Sequence, residues 1–368
     1  MKAPCLRMLG LVLATAVVAV RAGHRASCKN EKNESVDWFL MYKLPKMQPT
    51  DVNYMTPGGG EFVYIDSNTA STTTYWTLSE EDIYEADNPL AYTLAPLYET
   101  DKPTDLLYLV YNDQSPDIYS GSRNGHTKGA VMADNTTGIW LQHSMPKFVE
   151  NLFGGRYTFP DNARENGQAI MCVTFKTSQL NVVGKHLRMQ YANVYERGSP
   201  QYLRDRLPQM DLLFKDSFIR GHTRKLYVES VTSAAGQKFV SIAKRATLEV
   251  DIYSAIVTNV TQTDLLVQSW RNGAGGKMDA SCNGTFTVVD VDQVRLKFKD
   301  NVIMWSSTED HSKWAVGIDK PWFCFGSLNR MESQFSRGGE VFCMEHPLVS
   351  KLFRRSGLTE ATCNIQQA

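Results

Sequence analysis

Two His-x-Lys pairs, one in each half of the 368-residue chain, constrain its fold more than any other feature. His126 and Lys128 form the first pair, and His311 and Lys313 form the second. In an extended strand, residues i and i+2 point to the same side, so each pair would present an imidazole beside an ammonium. One such pair occurs easily by chance. Two of them, each followed by an apolar strand, suggest two halves that face each other across one site.

The first residues have the composition of a secretory signal peptide. Lys2 and Arg7 supply positive charge, and the stretch from Leu9 to Val20 is an apolar run that is too short to span a membrane comfortably. We therefore expect a signal peptide over residues 1–22, with an approximate cleavage point, and we expect no membrane-spanning segment after it.

Six cysteines remain once Cys5 leaves with the signal peptide, and an even number in a secreted chain indicates disulfide bonds. They are Cys28, Cys172, Cys282, Cys324, Cys343 and Cys363. Spacing alone leaves their pairing open, and the absence of a Cys-x-x-Cys motif does not favour a zinc site. Four Asn-x-Ser/Thr sequons also fit passage through the secretory pathway. They begin at Asn33, Asn135, Asn259 and Asn283.

The charge balance bears on possible polyanionic partners. The chain has 39 basic and 39 acidic residues, which argues against strong nucleic-acid binding at neutral pH. At about pH 5 the histidines gain protons and some carboxylates are neutralised. The same surface would then be positive and would attract polyanions, as expected for a protein of an acidic compartment.

Hydrophobic patterning predicts a mixture of strands and helices. Residues 36–43 alternate as a strand does, and residues 106–111 form an apolar run typical of a buried strand. Residues 130–143 resemble a hairpin, whereas residues 177–187 and 248–257 have helical character. This mixture indicates α/β or α+β layers.

Several blocks, taken in chain order from about residue 28 to 363, resemble the deoxyribonuclease II family. They are Val36–Pro45, Tyr111–Gln114, Gly125–Gly129, Trp140–Pro146, Glu309–Trp314, Lys320–Cys324, Asn329–Arg330 and Arg337–Gly339. The resemblance implies a phospholipase D-like α/β fold of mixed layers. Two pseudo-symmetric halves, residues 28–205 and 206–368, would each carry a mixed β-sheet flanked by helices and one His-x-Lys motif, fused into one domain.

The same resemblance implies the chemistry. Such an enzyme hydrolyses DNA at acid pH without metal or cofactor. One of His126 and His311 attacks phosphorus to form a phosphohistidine, while the other protonates the leaving 5′ oxygen. Lys128 and Lys313 hold the non-bridging oxygens, and the product carries a 3′-phosphate. The longer match around His311 favours it as the nucleophile, although the sequence does not decide this. The implied disulfides are Cys28–Cys172, Cys282–Cys363 and Cys324–Cys343.

Three further polar residues lie in matching blocks. Asn112 and Asn329 are either amides that orient the phosphate or turn residues, and His143 is either a supporting or a structural histidine. His222 is followed by a lysine at the third position, on the wrong face of a strand, so we assign it no role. Where the resemblance leads us to expect Gly-Asp, the chain has Gly-Ser at Ser327. That change would affect rate more than reaction type.

Two other functions fit parts of the sequence. A phosphodiesterase of the same fold could act on another substrate, such as a phospholipid, and a secreted glycoprotein could bind DNA without cutting it. The matching blocks outside the motifs speak against the first, and the four intact motif residues speak against the second. The leading expectation is therefore a lysosomal or secreted acid deoxyribonuclease that acts on double-stranded DNA, with its oligomeric state left open.

Overall fold

The computed structural model describes residues 26–116, 121, 123–221, 224–272, 275–361 and 363, so that the expected signal peptide and His222 lie outside the described residues. The strands of the first half are β1 (Cys28–Lys29), β2 (Ser35–Val36), β3 (Trp38–Lys43), β4 (Phe62–Asp66), β5 (Leu107–Asn112), β6 (Lys128–Ala133), β7 (Thr137–His143), β8 (Gln168–Lys176) and β9 (Val194–Gly198). Those of the second half are β10 (Leu226–Thr232), β11 (Lys238–Lys244), β12 (Leu265–Gln268), β13 (Val288–Asp290), β14 (Gln293–Lys297), β15 (Val302–Ser306), β16 (Trp314–Gly317), β17 (Trp322–Gly326), β18 (Gly339–Glu345) and β19 (Gly357–Leu358). The α-helices are α1 (Pro89–Tyr98), α2 (Leu180–Gln190), α3 (Gln201–Arg206), α4 (Pro208–Phe214), α5 (Thr258–Thr261) and α6 (Pro347–Ser356).

Two seven-stranded sheets organise these elements. The first has the order β4-β3-β8-β7-β6-β5-β9, and the second has the order β10-β11-β18-β17-β16-β12-β13. In the first sheet, β6 begins at Lys128 and lies between β5 and β7. In the second, β16 follows Lys313 and lies between β12 and β17. The predicted mixed α/β class is confirmed and fits a phospholipase D-like fold, while the pseudo-symmetry of the halves stays a prediction.

The central strands are buried on both faces. All six residues of β3, β5 and β6 are buried, because neighbouring elements cover each side of the sheet. The alternation in residues 36–43 therefore does not mark one solvent face, as it would in a half-exposed sheet. The predicted hairpin is confirmed, since β6 and β7 pair antiparallel and the Asp134 amide donates to the Thr137 carbonyl oxygen at 2.9 Å.

Helix α2 packs on α4 through a glycine. A Cβ at Gly184 would lie 2.8 Å from the Met210 amide nitrogen, so only glycine permits this approach. The predicted helix at 177–187 is confirmed as a short 3₁₀ turn followed by α2. The helix predicted at 248–257 is confirmed in its second part only, because it begins later and continues further than predicted. A π-helical segment, Tyr253–Val257, leads directly into α5.

Both halves contribute to one hydrophobic core. Trp140 of β7 meets Phe342 of β18 with ring centroids 5.1 Å apart, and Tyr42 of β3 meets Trp305 of β15 at 5.8 Å. The Trp314 indole N–H also donates to the Tyr42 hydroxyl at 3.2 Å. Separating the halves would expose this aromatic surface, so they form one packed unit.

Three disulfides are present, with the pairing that the resemblance implies: Cys28–Cys172, Cys282–Cys363 and Cys324–Cys343. The first two close long segments, with sequence separations of 144 and 81 residues. The third joins directly opposed positions of β17 and β18. A bridge across a long segment typically contributes about 2–4 kcal/mol by restricting the unfolded chain.

Candidate active site

A cleft of about 260 Å³ is lined by side chains from both halves of the chain. Its lining residues are Asp113, Gln114, His126, Lys128, Ser144, Pro146, Trp270, His311, Lys313, Asn329, Gln334 and Arg337. The structure thus brings together all four residues of the two His-x-Lys motifs. They face one cavity although 185 positions separate the two histidines, from 126 to 311.

Each motif is held in place by the opposite half. The His126 amide donates to the Gly338 carbonyl oxygen at 2.9 Å, and the His311 amide donates to the Gly167 carbonyl oxygen at 2.8 Å. A Cβ at Gly167 would lie 2.7 Å from the Asp310 carboxylate, so the close approach requires glycine. Each motif stands at the start of a strand. Lys128 is the first residue of β6, and Lys313 immediately precedes β16.

A buried carboxylate neutralises part of the positive charge in the cleft. Asp113, which directly follows β5, forms an ion pair with Lys128 and a second one with Arg337 at 3.0 Å. Burial alone would raise the pKa of the Asp113 carboxyl, but Lys128, His126 and Arg337 hold it well below its usual range. Asp113 thus stays ionised under acid conditions, when other carboxylates take up protons.

Lys313 has a different environment. Its ammonium donates to the His311 carbonyl oxygen at 2.6 Å, and its side chain is buried. Burial, followed by repulsion from Lys128, lowers the pKa of Lys313 to about 7. Burial also lowers the pKa of Lys128, but the adjacent Asp113 carboxylate opposes that shift. The two lysines therefore have different electrostatic environments, because only Lys128 has a carboxylate partner in direct contact.

The two histidines are half-buried and have different partners. His126 Nδ1 lies 2.8 Å from Gln334 Oε1, whereas the His311 ring meets the edge of Trp270 at a centroid distance of 5.1 Å. Burial and the nearby lysines lower the pKa of both imidazoles, that of His311 to about 3 and that of His126 well below its usual value. In the substrate-free cleft both rings are therefore neutral over a wide range of pH.

The middle residue of each motif is anchored to a buried carboxyl group. The Thr127 hydroxyl donates to Glu340 of β18 at 2.9 Å. The Ser312 amide donates to Asp310 at 2.7 Å, and the Ser312 hydroxyl lies 2.8 Å from the Tyr42 hydroxyl. These contacts fix the backbone on which each histidine and lysine are carried.

The three supporting candidates occupy different places. Asn329 lines the cleft, and its buried Oδ1 has no hydrogen-bond partner among the described residues. Asn112 does not line the cleft. Its amide donates to the carbonyl oxygens of Met145 at 3.1 Å and Phe148 at 2.7 Å, so it fixes the 145–148 loop. His143 also lies outside the lining, buried against Phe148, and accepts from the Met145 amide at 3.2 Å.

Ser327, the departure from the expected Gly-Asp, has a structural partner. Its hydroxyl accepts a hydrogen bond from the Glu340 amide at 2.8 Å. It is not among the residues that line the cleft. Its hydroxyl therefore supports the start of β18, and Asp113 and Asp310 provide the carboxylates near the motifs.

The sequence analysis assigned no role to seven of the lining residues: Asp113, Gln114, Ser144, Pro146, Trp270, Gln334 and Arg337. Arg337 belongs to a matching block, and this was the one signal that could have pointed to it. The Arg337 guanidinium donates to the Asn124 carbonyl oxygen at 2.9 Å as well as to Asp113. Gln334 and Trp270 lie in no motif, and only the folded chain places them beside the histidines.

The described part of the chain has neither a metal-binding cluster nor a membrane-spanning helix. It contains no group of three or more His, Cys, Asp and Glu side chains suited to hold a metal ion. Nor does any helix in it have the length and apolar character needed to cross a membrane.

Comparison with known proteins gives consistent matches over nearly the whole chain. The deoxyribonuclease II family profile matches residues 27–363. The chain is 35% identical to plancitoxin-1 of Acanthaster planci, over 94% of each chain. It is 33% identical to deoxyribonuclease-2-alpha of Mus musculus, over 89% of this chain and 91% of that one. It is 32% identical to deoxyribonuclease-2-beta of Homo sapiens, over 99% of each. Both predicted His-x-Lys motifs of this chain line one cleft. The chain therefore belongs to the deoxyribonuclease II family, which is a family of enzymes.

Proposed function

We propose that this protein is an acid endonuclease that hydrolyses DNA phosphodiester bonds without a metal ion. The observation that carries the proposal is the convergence of both His-x-Lys motifs on one cleft of about 260 Å³. The mouse and human relatives are named deoxyribonuclease-2, which indicates DNA as the substrate class.

Positive charge in the cleft suits a phosphodiester. Lys128, Lys313 and Arg337 line it together with the carboxylate of Asp113, which leaves a surplus of positive charge among the described lining residues when both lysines are protonated. These groups would bind the non-bridging oxygens and stabilise the charge that develops on them in the transition state. The lysines and Arg337 thus supply the charge for which many nucleases use metal ions.

The proposed reaction has two steps. A neutral histidine attacks phosphorus, a P–N bond forms and the P–O5′ bond breaks, while the second histidine, as imidazolium, gives its proton to the leaving 5′ oxygen. Water then attacks the phosphohistidine, with the second histidine taking its proton. A P–O bond forms as the P–N bond breaks. The products carry a 3′-phosphate and a 5′-hydroxyl.

An acid working range follows from the electrostatics of the cleft. Burial and, after it, positive neighbours lower the pKa of both imidazoles, so a proton donor requires either acid pH or added negative charge. A bound phosphodiester brings that charge and raises the pKa of the histidines that face it. At acid pH one ring can then be protonated while the other stays neutral, which is the working form of the pair.

An extracytoplasmic location agrees with several features. The chain has three disulfides and a signal-like N-terminus, and Asn33, Asn135, Asn259 and Asn283 are all exposed and so open to glycosylation. We infer that the protein is lysosomal or secreted and that it acts on double-stranded DNA.

Digestion of duplex DNA at about pH 5 in excess EDTA tests this proposal. We expect cleavage to be unaffected by the chelator. The new 5′ ends should accept label from a polynucleotide kinase without phosphatase treatment, and the 3′ ends should block a polymerase until phosphatase removes their phosphate. Activity that disappears with EDTA and returns with Mg²⁺ would contradict the mechanism. Hydrolysis of a phospholipid in place of DNA would contradict the proposal that DNA is the substrate.

A further inference from the structure

The segment that precedes β18 in the second half reaches the first-half histidine. Its 3₁₀ turn, Glu332–Gln334, places Gln334 Oε1 at 2.8 Å from His126 Nδ1. An amide oxygen can only accept a hydrogen bond, so Nδ1 must carry the proton in this pair. In a neutral imidazole the lone pair then belongs to the other ring nitrogen, Nε2.

We propose that Gln334 is the positioning residue of His126, that it holds the ring with its Nε2 lone pair available, and that it thereby makes His126 the attacking histidine. The proposal rests on the two-histidine reaction described above. It replaces the preference for His311 that the sequence suggested.

Gln334 is itself held rigidly. The buried Lys244 ammonium donates to the carbonyl oxygens of Phe335 and Arg337, both at 2.7 Å. Arg337 is tied in turn to Asp113 at 3.0 Å and to the Asn124 carbonyl oxygen. Before Gln334, the Ser333 amide donates to the Gly275 carbonyl oxygen at 3.0 Å. The turn is therefore anchored on both sides of Gln334, and the amide can orient the imidazole at little entropic cost.

The neutrality of the amide matters as much as its position. The charged groups around His126 are Lys128, Lys313 and Arg337, which disfavour its imidazolium, and Asp113, which favours it. A carboxylate at position 334 would add a second favourable partner and raise the pKa of His126. The amide makes the same hydrogen bond without that charge, so His126 stays neutral and nucleophilic under acid conditions.

The distinguishing variants are Gln334→Glu, which keeps the acceptor and adds charge, and Gln334→Met, which removes the acceptor. We expect Gln334→Glu to move the acid limb of the kcat/KM profile to higher pH by about one unit or more, because the His126 imidazolium then persists to higher pH. We expect Gln334→Met to lower kcat/KM by at least ~10-fold without that upward shift. Ser336→Glu adds the same charge at an exposed position of this segment and serves as the matched control.

A nitrogen-15 NMR spectrum of the imidazoles provides a readout that needs no activity. We expect neutral His126 to carry its proton on Nδ1 in the wild type. A proton on Nε2, or a Gln334→Glu profile that superimposes on the wild type, would overturn the positioning role. A shift of the alkaline limb alone would overturn the assignment of His126 as nucleophile, because it would mark His126 as the proton donor. A wild type that fails to cut DNA in EDTA would instead refute the underlying function, whatever the spectrum shows.

Discussion

Lys313 shows how burial converts an ordinary lysine into a group that titrates near neutrality. Its side chain is only 5% exposed, and its pKa falls to about 7, first through burial and then through the charge of Lys128. Below that pH it is an ammonium that can bind a phosphoryl oxygen. Above it, the cleft loses one positive charge. Titration of a single buried lysine can therefore set the alkaline limit of the enzyme.

Lys313→Arg tests this effect on pH dependence. Arginine stays protonated throughout the accessible range, so we expect the alkaline limb of kcat/KM to move upward by about one pH unit or more. The maximum rate should fall, because the larger guanidinium does not fit the lysine's place. Steady-state DNA cleavage between acid and mildly alkaline pH provides the measurement. An unchanged alkaline limb would show that another group limits activity there.

The lining residues that the sequence predicted belong to a local sequence pattern, whereas Gln334 and Trp270, which it missed, do not. The His-x-Lys motifs carry a local pattern, and both stand where a strand begins. Gln334 and Trp270 carry no such pattern, since their position depends on how a turn of one half packs against the other. The sequence left Asn112 open between a phosphate contact and a turn residue, because it cannot show that backbone carbonyl oxygens accept hydrogen bonds from its amide.

At the scale of elements, β18 of the second half supports the first-half motif. Glu340 of β18 is 2% exposed and accepts hydrogen bonds from the Thr127 hydroxyl and from the Gln190 amide of α2. Burial raises the pKa of Glu340 to about 7, and the two hydrogen bonds oppose the rise only in part. The folded protein therefore keeps Glu340 protonated in mildly acid solution.

This carboxyl group should make the fold more stable in acid. The pKa of this carboxyl group is 4.5 without burial and about 7 in the folded chain. Between these two pH values the folded chain binds a proton that the unfolded chain has lost. Its contribution to the free energy of unfolding is thus complete at the lower pH and falls as the pH rises. Glu340→Gln should gain stability relative to the wild type over this interval, by at most ~3 kcal/mol. Melting temperatures at both ends of this pH interval provide the measurement. Glu345→Gln, at an exposed position of the same strand, serves as the control. A difference in melting temperature between Glu340→Gln and the wild type that does not change with pH would refute the raised pKa of Glu340.

The strands at 36–43 and 106–111, the hairpin at 130–143 and helix α2 were predictable, because apolar runs and periodicity reflect burial directly. The late start of the helix predicted at 248–257 has a local cause. The Asp251 carboxylate accepts hydrogen bonds from the amides of Tyr253 at 3.3 Å and Ser254 at 3.1 Å, so it caps the helical turn and delays its start. Asp251 also pairs with Arg330 at 3.2 Å, which no local pattern reveals.

At the scale of the whole molecule, the two halves complete each other. The backbone of His126 is bonded to Gly338, and that of His311 is bonded to Gly167, so each motif takes its position from the opposite half. The aromatic core that both halves share keeps them in this relative position. Neither half would therefore form the cleft alone. The two histidines should accordingly behave in kinetics as one unit.

A double-mutant cycle of the two histidines tests this claim most directly. It compares DNA cleavage at about pH 5 in excess EDTA by the wild type, His126→Ala, His311→Ala and the double variant, each with an intact melting transition. We expect each single change to lower the rate by at least about 10³-fold and the double change to cost little more than either one alone. Substantial activity in either single variant, or a double variant whose loss is the product of the two single losses, would contradict a single site built from both motifs.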